Sequence, residues 1–163
     1  MTVPPRASTP AMLQLEAILG RLSGRQALAE VCRFLRHSFS HYPWVGVYRV
    51  EGTDLVLDAW DGDQATEHTR IPVERGICGQ AVREDRSVIV DDVRADPNYL
   101  ACFLETRAEI VVPIHHEGRV VGEIDIDGNT VKAFDASDRR FLESVAAKLG
   151  PVVERSGAEL PLG

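Results

Sequence analysis

A run of alternating acids and isoleucines, Glu123-Ile124-Asp125-Ile126-Asp127, constrains the fold of this chain more than any other stretch. Successive side chains of a β-strand point to opposite faces, so Ile124 and Ile126 share one face and the three acids share the other. The isoleucines need an apolar cover, and the amphipathic stripes near the two ends of the chain can supply it. The carboxylates then lie on the opposite face, where loops fold over, and Glu109 opens the neighbouring strand beside them. Grouped carboxylates repel one another, so at least one is expected to have a raised pKa and to carry a proton near neutrality. Such a face can bind an ammonium group and supply a general acid. The plainer alternative is a solvated strand face.

The remaining elements follow from periodicity and turn chemistry. Thr9-Pro10 opens a helix as cap and first residue, Met12, Leu15, Leu19 and Leu22 recur at helical spacing, and Ser23-Gly24 ends it. A second helix from Arg25 puts Leu28, Val31, Cys32, Leu35 and Phe39 on one face before Tyr42-Pro43 stops it. Strands are predicted over Trp44–Val50 and Leu55–Trp60, with a turn at 51–54 between them. A less regular segment runs through His68, Arg70 and Ile71. Then come a tight loop at Gly76-Ile77-Cys78-Gly79, a short helix over Gln80–Glu84 and a short strand over Ser87–Val90. The stretch from Asp91 to Arg107 is mostly loop, and a connection that long in a compact domain is usually functional. A hairpin joins Glu109–Ile114 to Arg119–Asp127. Asp135, with Asp138 three residues on, caps a last helix whose stripe is Phe141, Leu142, Val145, Leu149, Val152 and Val153. The fold class is α/β of the α+β kind. A central antiparallel sheet carries the N- and C-terminal helices on one face and loops enclosing a pocket on the other. Residues 1–9 read as a tail, 10–154 as the one domain, and 155–163 as a frayed second tail.

Composition narrows the partners. A net charge of −7, with basic residues scattered among acids, argues against nucleic acid and anionic membrane and suits a cationic or zwitterionic small molecule. No apolar run approaches the ~18 residues of a membrane span, and the first ten residues lack a signal peptide's apolar core, so the expected location is cytoplasmic. Three cysteines in a reducing compartment read as free thiols rather than a disulfide scaffold. His115 and His116 adjoin in a turn, and neither they nor the cysteines have zinc-ligand spacing, so no metal and no cofactor is expected. The loop near Gly76 lacks the lysine of a phosphate-binding loop.

Cys78 precedes a short helix, where exposed N–H groups would lower its pKa; alternatively it fills a tight turn. Cys102 sits in the long loop within Tyr99-Leu100-Ala101-Cys102-Phe103, reachable by substrate and reductant, or else buried with its apolar neighbours. Cys32 belongs to the second helix's stripe. Trp44 and Tyr48 share a strand face, either as an aromatic pocket wall or as ordinary core.

Together these pieces resemble a GAF domain over about residues 10 to 154, and within it the free methionine-(R)-sulfoxide reductases. The resemblance rests on Trp44-x-Gly46-x-Tyr48, the Gly76–Gly79 turn, Leu100-Ala101-Cys102, the strand Ala108 to Pro113, and Asp125-Ile126-Asp127. The family usually carries a resolving cysteine ten positions before the one in the turn; here that position is His68. The residues flanking the catalytic cysteine also differ, being Tyr99-Leu100 and Phe103.

The resemblance implies thiol-dependent reduction of free L-methionine-(R)-sulfoxide. Cys102 would be the catalytic thiol. Trp44, Tyr48, Glu109, Asp125 and Asp127 would line the pocket, and Glu109 or Asp125 would donate the proton. A sulfenic acid on Cys102 would be resolved by Cys78 if the sulfurs come within disulfide reach, or by an external thiol, with thioredoxin as reductant and a homodimer as the assembly. Two other readings are a non-catalytic GAF module that binds a small ligand in the same pocket in signalling, and a Cys78–Cys102 redox switch whose disulfide reports oxidants.

Overall fold

The computed structural model describes residues 8–101 and 103–159. Four helices and six strands follow the order α1 (Ser8–Arg21), α2 (Gly24–Ser38), β1 (Trp44–Glu51), β2 (Asp54–Gly62), β3 (Arg70–Pro72), α3 (Gly76–Glu84), β4 (Val88–Val90), β5 (Ala108–His116), β6 (Arg119–Gly128) and α4 (Ala136–Ala158), with a 3-10 turn over Val93–Ala95. The strands form one antiparallel sheet in the order β3-β2-β1-β6-β5-β4. Short turns connect β1 to β2 and β5 to β6, so each pair forms a hairpin. The two hairpins meet along β1 and β6 at the centre of the sheet.

The alternation in β6 is realised on both faces. Ile124 and Ile126 join Val45, Val47, Ile110, Val112 and Ile114 in a core covered by α1, α2 and α4. The opposite face carries a second, smaller core made of Tyr48, Leu55, Ile71, Ile77, Cys78, Ala81 and Val111, with α3 packed over it. A bulge between Val47 and Tyr48 shifts β1 against β2 but leaves its register with β6 intact.

The α4 cap has the predicted form: Asp135 accepts from Ser137 N and Asp138 N, and Asp138 accepts from Asp135 N. Asp138 is buried because it also accepts from the Tyr42 hydroxyl at 2.7 Å and meets His41 Nε2 at 2.7 Å, which ties the start of α4 to the segment before β1.

Several expectations need correction. In α1 the fully packed positions are Ala11, Leu15 and Ile18, with Met12, Leu19 and Leu22 at the flank. Phe39 caps α2 rather than belonging to it, so the helix ends before Tyr42-Pro43. The segment through Arg70 is a third edge strand. Gly76–Gly79 is the first turn of α3 and not a loop before it. The C-terminal segment is helical to Ala158 instead of fraying after Arg155, because Ser156 is buried and donates to Asp58, and Glu159 accepts from Arg25 N at 2.7 Å. The predicted N-terminal tail lies mostly outside the described residues. No helix among them is long and apolar enough to cross a membrane.

Candidate active site

Antiparallel register places the site residues in rows across three strands. Asp127 of β6 lies between Trp44 of β1 and Glu109 of β5. Asp125 lies between Gly46 and Val111, and Glu123 between Tyr48 and Pro113. Directly opposed residues have Cβ atoms ~5 Å apart, so these rows form one contiguous floor. The acids are not solvated: Glu109 is 4 % exposed, Glu123 0 %, and Asp125 and Asp127 1 % each. Neither carboxylate oxygen of Glu123 or Asp127 finds a hydrogen-bond partner among the described residues, and Oδ1 of Asp125 also has none.

Burial without partners disfavours the ionised form. It raises the Glu123 carboxyl well above its ordinary range, with Asp125 adding to the effect and the nearby Cys78 thiol offsetting part of it. Asp127 is likewise held well up by burial and by Asp125. Asp125 is raised by burial, against the pull of Glu109, Cys78 and the His68 charge. Burial thus shifts Glu123, Asp125 and Asp127 toward their protonated forms, the direction expected of clustered acids.

Two cavities open on this floor. The larger, about 170 Å³, is lined by Trp44, Phe103, Asp127, Gln64, Thr106 and Asn129 among others. The Trp44 indole forms its wall. Indole Nε1 donates to Gln64 O at 3.1 Å, the ring stacks on Trp60 at 6.3 Å between centroids, and the Phe103 ring lies tilted against it at 5.7 Å. Gly46 makes this possible, since a Cβ there would come within 2.5 Å of Trp44 Cη2. The smaller cavity, about 10 Å³, is lined by Cys78, Glu109, Asp125, Ile71, Gly76, Ile77 and Leu100.

Of the two readings of Cys78, the structure matches the residue packed into a tight turn and not the thiolate favoured by the helix start. Its thiol is buried and its pKa is pushed well up, first by burial and then by the charges of Asp125, Glu123 and Glu109. A helix N-terminus stabilises an anion by ~0.3–1 kcal/mol, whereas burial of a thiolate costs several times more. Cys32 is fully buried in the α2 stripe, and burial raises its thiol too. Tyr48 is buried at the end of the floor, and its hydroxyl donates to His68 O at 2.7 Å.

Cys102 lies outside the described residues. Its chain neighbours are held over the site. His68 Nε2 meets Ala101 O at 3.0 Å, Asn98 Nδ2 donates to Gly76 O at 3.0 Å, and Phe103 packs against Trp44. Sequence reasoning did not single out Gln64, Thr106, Asn129 or Trp60 at the site. The first three sit on loops with no periodicity to reveal them, and Trp60 read only as the end of a strand.

An antiparallel sheet with helices on one face and a loop-covered acidic pocket on the other defines the GAF class, and the GAF domain family model matches residues 24–154. The chain belongs to the GAF domain family. Within it, the chain is 31% identical to free methionine-R-sulfoxide reductase of Escherichia coli, over 82% of this chain and 80% of that protein. The same fold occurs in free methionine-R-sulfoxide reductase from Neisseria meningitidis in complex with its substrate, with a TM-score of 0.84 at 34% identity over 93% of this chain and 91% of that one. It occurs too in the type II free methionine-R-sulfoxide reductase from Thermoplasma acidophilum, with a TM-score of 0.78 at 38% identity over 80% and 92%.

Proposed function

We propose that the protein reduces free L-methionine-(R)-sulfoxide to methionine, with Cys102 as nucleophile and the buried acid floor as proton source and ammonium site. The observation that carries this reading is the group of Glu109, Asp125 and Asp127, buried together on β5 and β6, with Asp127 lining an indole-walled cavity of about 170 Å³ and Glu109 and Asp125 lining a smaller one of about 10 Å³. A free amino acid needs an anionic partner for its ammonium group, and its S-methyl group needs an apolar wall. Unpartnered Asp127 and the Trp44 ring offer these side by side. The substrates of the related reductases support the same assignment.

In this mechanism the Cys102 thiolate attacks the sulfoxide sulfur. A floor carboxyl, Glu109 or Asp125, donates its proton to the sulfoxide oxygen, because that oxygen leaves only when protonated. Two electrons pass from the thiolate to the sulfoxide, methionine departs, and Cys102 becomes a sulfenic acid. The Cys78 thiol then attacks the sulfenic sulfur and gives its proton to the newly ionised carboxylate. A disulfide forms, and the hydroxyl leaves as water with a proton from solvent. The net change is two thiols and one sulfoxide to one disulfide, methionine and water. A dithiol of the thioredoxin class restores both thiols by exchange.

The test is methionine formation from the free (R)-sulfoxide with a thioredoxin system. Cys102→Ser should lower it by roughly 10³-fold or more. No methionine from the wild type, or equal turnover by Cys102→Ser, removes the proposal. Thermal stabilisation by the sulfoxide without turnover would assign the pocket to ligand binding alone.

A further inference from the structure

Cys78, Glu109 and Asp125 come from three different elements, α3, β5 and β6, and each turns one ligand atom to within 4.8 Å of the other two. We infer that these three side chains form a binding site for a single thiophilic divalent cation of the zinc class, and that it exists only while Cys78 is reduced. The sequence could not show this, because ligand spacing along the chain has no meaning for a site assembled across a sheet.

Three observations support it. The donor set is one thiolate and two carboxylates, which suits zinc and its heavier congener cadmium and does not suit magnesium or calcium, which take oxygen alone. Zinc–sulfur and zinc–oxygen bonds of about 2.3 and 2.0–2.2 Å set ligand separations of roughly 3.3–3.8 Å in a tetrahedral site, so shifts of about half an ångström per side chain close the triad. Secondly, the three residues line a common cavity of about 10 Å³, room for one water-sized occupant. Thirdly, Asp125 is 1 % exposed, lines that cavity, and has an oxygen with no hydrogen-bond partner. A bound ion is one of the partners that such a buried oxygen can take.

Charge points the same way. Glu123 and Asp127 flank Asp125 on the same strand face. A divalent cation compensates two anions at once. Loading displaces the thiol proton, and any proton held on Glu109 or Asp125, to solvent and leaves a metal–thiolate bond with two carboxylate ligands, with no change of oxidation state. The fourth metal position is left for water. A metal seated there occupies the proton-donating carboxyls, so under the reductase reading it would act as a competitive inhibitor. Binding itself does not rest on that reading.

The experiment is a titration of the reduced protein with cadmium alone, followed by the ultraviolet cadmium–thiolate charge-transfer band, with zinc as competitor. The expected result is a band saturating at one cadmium per chain and displaced by zinc. It should be lost in Cys78→Ala, weakened at least ~10-fold in affinity in Asp125→Asn, and retained in Cys32→Ala and Cys102→Ser. Oxidation of Cys78 should abolish it. No band in the wild type, or a band that survives Cys78→Ala, overturns the inference. Asp125→Asn keeps the thiol, so it still tests the site if Cys78→Ala does not fold. Cys102→Ser separates the two proposals: it cannot turn over sulfoxide, yet it should bind cadmium. Turnover without the band sinks only the metal site, and the band without turnover sinks only the reductase.

Discussion

Glu123 shows what a buried acid costs when nothing pairs with it. Its side chain is fully buried, both oxygens lack hydrogen-bond partners among the described residues, and its carboxyl is held well above the ordinary value of 4.5. A raised carboxyl pKa means that the folded state holds the proton more tightly than the unfolded chain. The associated stability is complete below the ordinary value and is lost as pH rises from there through the folded-state pKa. Glu123→Gln removes the ionisable group while keeping the shape. Its melting temperature should match the wild type near pH 4 and exceed it increasingly toward pH 8, by an amount equivalent to about 1–3 kcal/mol. A pH-independent difference would show that ionisation is not the cause. Cys78 carries the second residue-level prediction. If it resolves the sulfenic acid, Cys78→Ser should form about one methionine per chain and then stop, leaving a sulfenic acid on Cys102 that dimedone labels. Undiminished turnover with thioredoxin would take Cys78 out of the cycle. The buried acids were legible in the sequence as candidates, and so was Cys78, which the structure places beside them. The state of Cys78 was not, because its neighbours across the sheet, which decide its charge, lie 31 or more positions away in sequence.

At the scale of elements, periodicity revealed the packed faces of α2 and α4 and the long strands, since those depend on burial that repeats along the chain. It missed the nature of the Gly76–Gly79 segment, where glycines suggested a loop. Gly76 in fact starts α3 with φ of 74°, and a Cβ there would come within 2.9 Å of Leu100 Cδ1. Its glycine is required twice, by backbone conformation and by the approach of the 96–101 segment. That segment is clasped to the helix by Asn98 Nδ2, which donates to Gly76 O at 3.0 Å and to Gln80 Oε1 at 3.3 Å, and to the segment before β3 by His68. The helix start is thus a dock for the chain that leads to Cys102. Gly76→Ala should destabilise the protein by about 1–3 kcal/mol and loosen the dock. In hydrogen exchange, amides 96–101 should lose protection more than those of β5 and β6. Equal loss everywhere would mean that the glycine serves global stability alone.

For the whole molecule, the decisive fact is that one central strand serves two cores. β6 lies mid-sheet between β1 and β5, so its isoleucines join the core shared with α1, α2 and α4 while Asp125 and Asp127 line the cavities on the other face. Alternation in five residues foretold the two faces, but not the strand order that brings Trp44 and Glu109 to either side of Asp127, because hairpin packing is decided by contacts distant in sequence. Stability and binding are therefore separable at adjacent positions. Ile126→Ala empties a fully buried site in the helix-covered core and should cost about 2–5 kcal/mol in denaturant unfolding. Asp127→Asn, one residue on, removes an unpartnered buried acid, so it should leave stability unchanged or raise it near neutral pH. At the same time it should abolish the thermal shift that free methionine sulfoxide produces in the wild type. The two faces would not be independent if Asp127→Asn unfolded as readily as Ile126→Ala. The floor of the pocket would then be holding the sheet together, rather than being held in place by the helices on the other side.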